Sequence, residues 1–209
     1  LLYNIFIFLY HLLIAMAASL NGKAKLFREG RRNLFSGLKE QTDPGARYIW
    51  FHCASLGEFE QGRPVMEEIL QKCPHFKLAL SFFSPSGYEV RKNYALADIV
   101  FYLPSDTPRN ASLLIKTLHP EIVFFVKYEF WFHLITSRKR KGIPLYLVSG
   151  TFRKGQVFFS KMPWGGWFRK ILNAFTCIFV QDEESAALLN GIGMSNYKVS
   201  GDTRFDRVA

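Results

Sequence analysis

The sequence predicts a doubly wound α/β domain on a mostly parallel sheet. Three observations carry that expectation. Seven short runs after residue 45 are apolar almost throughout, the pattern of strands covered on both faces. Helical stretches of about 10–15 residues separate most of them, which suits right-handed crossovers and not hairpins. Hydrophobic residues make up 49% of the 209 and aromatics 16%. That is ample apolar surface for a core and excludes a disordered chain.

Residues 1–20 contain no Asp, Glu, Lys or Arg. Lys23, Lys25, Arg28, Arg31 and Arg32 follow, opposed only by Glu29. Three readings compete. A cleaved secretory signal is disfavoured because the charges follow the apolar run instead of preceding it. A buried core helix is a second reading, because Asn4 and His11 interrupt the run; seven apart on one helical face, they also leave room for a partly inserted helix that does not span. A membrane anchor over 1–22, spanning or lying in the interface, is the preferred reading. The basic flank then holds the remainder, 23–209, on the cytoplasmic side.

The first strand is expected at Tyr48–Cys53, with Gly57 turning into a helix that runs to about Lys72. A second strand at Leu78–Phe83 leads through Ser84-Pro85-Ser86-Gly87 to a helix from Tyr88. The third, Ile99–Leu103, stops at Pro104, and Asp106 or Thr107 can cap the next helix. Ile122–Val126 is the fourth, followed by a helix ending near Lys141-Gly142. Pro144–Val148, Cys177–Val180 and Tyr197–Ser200 complete the set, and a helix from Gln181 stops at Gly191 or Gly193. Residues 149–168 mix periodicities and read as a long loop or broken helix. Trp164 and Trp167 there either meet lipid or pack on the domain.

The 27 basic and 17 acidic residues leave a charge of +10. Nucleic acid is not the expected partner: no zinc-ligand spacing or RNP-like motif accompanies the charge. Arg138-Lys139-Arg140-Lys141 reads as the solvated end of a helix. Cys53, Cys73 and Cys177 read as reduced core residues, and the five histidines show no metal spacing.

Parallel strands place all their C-terminal ends on one edge, where ligands bind. The first βα turn there, His52-Cys53-Ala54-Ser55-Leu56-Gly57-Glu58, is neither G-x-G-x-x-G nor a P-loop. G-x-S-x-G is absent too, which argues against a serine hydrolase. Ser55 and Gly57 allow a ligand close to the backbone. Glu58 is either a general base or a complement to the positive helix end. Ser84, Ser86 and Gly87 form a second small turn, suited to a phosphate or simply to a cap. Glu129 follows the fourth strand and requires a partner, solvent or a raised pKa. Glu58 and Glu129 together suit hydroxyl activation or a cationic transition state, or either is structural, paired with Lys127 or Arg204.

The runs HCASLGE (52–58), SFFSPSGYE (81–89), YLPSD (102–106), YEFW (128–131) and GDTRFD (201–206) resemble, in order and spacing, the 3-deoxy-D-manno-octulosonic acid (Kdo) transferases. The resemblance implies the N-terminal, acceptor-binding half of an inverting, metal-independent enzyme of the two-domain GT-B type. Such enzymes move Kdo from CMP-Kdo to a lipid A precursor (lipid IVA) at the cytoplasmic face of the inner membrane. It implies no cofactor. Donor binding falls mainly to a C-terminal half, because the chain stops where the family's interdomain linker begins. By the same resemblance Glu58 is the base. Glu129 stabilises the transition state, as does Arg204 in place of the family's Lys. Ser55, Gly57, Ser84, Ser86, Gly87, Lys127 and Arg153 are expected to meet the acceptor.

Two departures stand out. Lys127 replaces the first acidic residue of the family's E-T-E-L-W-P-N run, and Ser149–Arg153 replaces N-A-R-L-S. This piece alone is expected to bind acceptor weakly and to transfer no sugar. The competing classes are a non-catalytic module binding lipid or a partner at the membrane surface, and another sugar-nucleotide-dependent GT-B enzyme.

Overall fold

The computed structural model describes residues 2–203. Seven strands form one sheet: β1 (Arg47–Cys53), β2 (Phe76–Phe82), β3 (Ile99–Tyr102), β4 (Pro120–Val126), β5 (Leu145–Gly150), β6 (Cys177–Val180) and β7 (Tyr197–Val199). Every neighbouring pair is parallel, in the order β3-β2-β1-β4-β5-β6-β7. The chain steps outward from β1 to β3, returns to the other side of β1, then steps outward again to β7. The direction therefore reverses between β1 and β4, and the loops after these strands flank that switch point.

The expected helices form as α4 (Leu56–Lys72), α5 (Pro85–Arg91), α6 (Pro108–Leu118), α7 (Phe132–Arg140) and α9 (Glu183–Asn190). α5 starts three residues earlier than the sequence suggests. Pro85 fits the first helical position, and Ser84 caps it by accepting from the Ser86 N–H. Residues 149–168 contain a 3₁₀ turn at Val157–Phe159 and the start of α8 (Pro163–Leu172). α2 (Gly22–Glu29) and α3 (Leu34–Gln41) are additional helices that the sequence reading does not place.

Alternation along β1 divides the core. Ile49, Phe51 and Cys53 face α4 and α5, meeting Phe59, Met66 and Tyr88. Tyr48 and Trp50 face the other way, into the larger cluster with Leu38, Leu114, Ile135 and Leu189. Of the cysteines only Cys53 is a core residue. Cys73 and Cys177 lie half-buried at strand and helix ends, and all three are free.

α1 (Leu2–Ala17) is the expected apolar helix. No helix among the described residues is long and apolar enough to cross a membrane. Instead, α1 lies against the domain. Its inner face presents Tyr3, Ile7, Tyr10 and His11. Leu2, Phe6, Phe8, Leu13 and Met16 on its outer face are each more than half exposed. The shared face of Asn4 and His11 is thereby explained: Asn4 Oδ1 lies 2.6 Å from His133 Nε2, and His11 Nδ1 lies 3.5 Å from Ser105 Oγ.

Asp106 makes the attachment. α7 begins after Trp131, which has no oxygen to cap it. Asp106 supplies both bonds from a distance, accepting from the His133 and Leu134 N–H groups at 2.9 Å. The same carboxylate accepts from Tyr3 Oη at 2.5 Å. Burial pushes the Asp106 carboxyl up, the Tyr3 bond and the two N–H bonds opposing it. Burial likewise pushes the Tyr3 phenol up, and the charge on Asp106 adds to it.

Two basic residues behave otherwise than expected. Arg31 turns inward and donates to the carbonyls of Phe27, Leu103 and Phe83, its guanidinium 3.5 Å from the Phe27 ring centroid. Burial pulls it down to about 9. Arg138 is also buried, donating to the Ile143 and Ala174 carbonyls. Lys23, Lys25, Arg28 and Arg32 remain exposed, as do Lys139, Arg140 and Lys141.

Replacing Asp106 with Ala removes a distant cap and the clamp on α1 together. The expected cost is about 1–2 kcal/mol in urea unfolding, with faster amide exchange in both α1 and the first turn of α7. Unchanged exchange in α1 would show that apolar contacts alone hold it.

Candidate active site

β1 and β4 deliver the two carboxylates to opposite sides of the switch point. Ser55 is the N-cap of α4 and Glu58 stands in its first turn. The S-x-x-E spacing is that of a capping box. Here, however, Ser55 makes no side-chain cap, and its hydroxyl donates to the Glu58 carboxylate. Glu58 is half-buried and forms no ion pair among the described residues.

Small residues let the surrounding elements close in. Gly87 is buried. A Cβ there would lie 2.3 Å from Phe82 Cδ1 and 3.0 Å from the Ser55 carbonyl carbon. Its role in the structure is thus to let α5 pass over the Ser55 turn. Ser84 and Ser86 bond to each other, Oγ to Oγ at 2.5 Å. Gly57 is exposed at the helix start.

Beyond β4, Lys127 adopts a left-handed backbone at φ 65°, which is uncommon for a side-chain-bearing residue. The chain turns sharply there. Lys127 points to the Tyr128 ring, with Nζ 5.9 Å from its centroid, and does not pair with Glu129. Glu129 is only 8% exposed and bonds to His52 Nε2 at 2.9 Å and to Trp131 Nε1. The alternative of Lys127 as its partner gives way to an imidazole and an indole. Arg204 itself lies outside the described residues.

His52 is fully buried, and its neighbours fix its proton. Trp50 Nε1 donates to Ser81 Oγ at 2.8 Å, and Ser81 Oγ lies 2.9 Å from His52 Nδ1. The other acceptor for the Ser81 hydroxyl, the Phe51 carbonyl, is 3.5 Å away, too far for a good bond. The hydroxyl therefore donates to Nδ1, and the ring proton sits on Nε2, pointing at Glu129. Trp131 Nε1 lies 3.2 Å from His52 Nε2. That nitrogen already carries a proton, so the indole bonds to the carboxylate instead.

Burial pushes the Cys53 thiol well up, and the charges of Glu58 and Glu129 add to that shift. Both carboxylates thus act on the end of one strand. Thr203 closes the same edge. It is buried, donates to the Gln61 carbonyl at 2.6 Å and accepts from Ser149 Oγ at 2.9 Å. Arg153 is exposed on the loop after β5. The site holds no group of three or more His, Cys, Asp or Glu residues suited to a metal ion among the described residues.

A groove of about 800 Å³ opens between α1, α7 and α8, lined among others by Phe6, Phe132, Trp164 and Trp167. Phe132 follows directly on Trp131. The two tryptophans differ in burial. Trp164 is 52% exposed, whereas Trp167 packs on Phe132 with ring centroids 5.0 Å apart.

The family model for 3-deoxy-D-manno-octulosonic-acid transferase (Kdo transferase) matches residues 27–207. The chain belongs to this family. The Chlamydia muridarum Kdo transferase is 29% identical over 114 residues, 54% of this chain and 26% of the relative. The Bordetella pertussis enzyme is 25% identical over 173 residues, 78% of this chain and 39% of the relative. The chain thus spans well under half the length of these relatives. Its fold is similar to that of UDP-GlcNAc 2-epimerase from Neisseria meningitidis. That likeness has a TM-score of 0.57 at 17% identity, covering 76% of this chain and 48% of the other. At that identity it bears on the fold alone, a Rossmann-like parallel sheet.

His52, Ser81 and Trp131 were missed as site residues. The signal was a lone histidine two residues after Trp50 in an otherwise apolar strand. Pairing it with Ser81 requires the register between β1 and β2, which no local pattern supplies.

Gly87→Ala is expected to lower stability by about 1–3 kcal/mol through overpacking, read from urea unfolding. Wild-type stability would mean that α5 can shift away from the Ser55 turn.

Proposed function

We propose that this chain is the acceptor-side part of a glycosyltransferase moving Kdo from CMP-Kdo to a lipid A precursor, with inversion and without a metal. The observation that carries the reading is the placement of Glu58 and Glu129 at the C-terminal ends of β1 and β4, on either side of the switch point. In this reading an acceptor hydroxyl oxygen attacks the anomeric carbon of Kdo. The bond from that carbon to the CMP phosphate oxygen breaks, and CMP leaves with the electron pair. The hydroxyl proton passes to Glu58. Positive character grows on the sugar, and the Glu129 carboxylate, already desolvated, stabilises it. Arg204 is proposed to contact the donor or the same developing charge.

Membrane attachment is part of the proposal. The outward apolar face of α1 and exposed Trp164 form one kind of surface. Four exposed cations, Lys23, Lys25, Arg28 and Arg32, lie just beyond α1. A helix docked on the protein with an apolar outer face and cations just beyond it suits the plane of an anionic leaflet, such as the cytoplasmic face of an inner membrane. The apolar groove beside Phe132 then offers a place for an alkyl part of the acceptor. Ser55, Gly57, Ser84, Ser86, Lys127 and Arg153 remain the proposed polar contacts on that side. Gly87 contributes through the backbone it lets approach.

Glu58→Gln in the full-length protein is expected to lower kcat for Kdo transfer by about a hundredfold or more while the unfolding midpoint stays within error. Retained turnover would assign the base elsewhere. Charge reversal at Lys23, Lys25, Arg28 and Arg32 is expected to release the protein from vesicles containing anionic phosphatidylglycerol, as read by co-sedimentation. Binding that survives both reversal and high salt would place the attachment on apolar contacts only.

A further inference from the structure

We infer that His52 is a positioning residue for Glu129, fixing one oxygen of that carboxylate and keeping its charge available for the reacting sugar. The inference rests on the proposed transfer reaction for its consequence, but its geometry stands on the described residues alone.

A buried carboxylate needs hydrogen-bond donors. A Lys or Arg partner would supply them and would also cancel most of the charge. His52 and Trp131 are neutral donors, so they hold the group while leaving its charge in place. Both bonds fall on Oε2. Oε1 is left without a hydrogen bond among the described residues, and it is the oxygen assigned to the sugar. Lys127, the nearest basic residue in sequence, is turned onto Tyr128 by its left-handed backbone.

The imidazole can donate to Glu129 only in one tautomer. If the proton moved to Nδ1, the Nε2 lone pair would face the carboxylate and repel it. Trp50 and Ser81 prevent this. The Trp50 indole occupies a lone pair of Ser81 Oγ at 2.8 Å, and the hydroxyl proton is directed to Nδ1 at 2.9 Å. Residues from three adjacent strand regions, β2, β1 and the end of β4, thus form one directed line of bonds. Register pairs His52 with Ser81, and strand alternation places Trp50 on the same sheet face as His52.

The test is a variant series in the full-length protein, assayed with CMP-Kdo and the lipid acceptor. His52→Leu keeps a similar volume and removes the donor, and kcat is expected to fall about a hundredfold with both KM values within about threefold. His52→Gln can place an amide N–H where Nε2–H lies, and is expected to recover to within about tenfold of wild type. Ser81→Ala should fall between them. A His52→Leu variant with wild-type kcat, or a folded His52→Gln variant no better than His52→Leu, would overturn the inference. The second measurement does not depend on turnover or on a variant folding. Nitrogen-15 NMR of the histidine-labelled wild type should show His52 neutral and protonated at Nε2. An Nδ1–H ring, or an imidazolium at neutral pH, would refute it. Absence of transfer by the wild type would sink the proposed reaction and leave this tautomer result to decide the positioning.

Discussion

A carboxylate that folds out of water must find donors, and Glu129 finds them in His52 and Trp131. That one requirement organises the edge of the sheet. It needs β1 beside β4, so that the His52 ring reaches the loop after Val126. It needs β2 on the other side of β1, so that Ser81 can set the ring's proton. It needs the left-handed turn at Lys127, which returns the chain over β1. The first two are properties of the parallel order β2-β1-β4; only the turn at Lys127 is local to Glu129.

The two carboxylates consequently have different characters. Glu58 sits on a helix's first turn, half-buried, with a hydroxyl as its neighbour. Glu129 is enclosed by rings. A base must exchange protons with an incoming group and benefits from access to it. A charge that stabilises a cationic centre acts more strongly when water is excluded around it. The two carboxylates thus differ in burial in the sense that the proposed roles require.

The first helix shows how polar contacts govern an apolar segment. Read as a string, residues 1–20 resemble a membrane anchor. In the fold, Tyr3 and Asn4 tie it to Asp106 and His133, which fixes the face it turns outward. Asp106 joins this attachment to the capping of α7, whose first residues line the groove beside the site. The position of the apolar surface and the shape of the groove are therefore set by the same carboxylate.

All seven strands, the doubly wound class and the location of Glu58 and Glu129 at strand ends were legible in the sequence. Parallel strands are buried on both faces and announce themselves as apolar runs, and turn chemistry marks where they stop. Arg31 and Arg138 defeated composition, because a basic residue reads as solvated until backbone carbonyls are seen to surround it. α2 and α3 went unread although they are as long as α9. His52 could not be read as a partner of Glu129, since it lies 77 residues away along the chain, and Ser81, which bonds that histidine, lies 48 away. Sequence patterns fix what each segment buries, because that is a local property of spacing and polarity. Which buried polar groups meet is decided by strand order and register, and these exist only once the sheet has assembled.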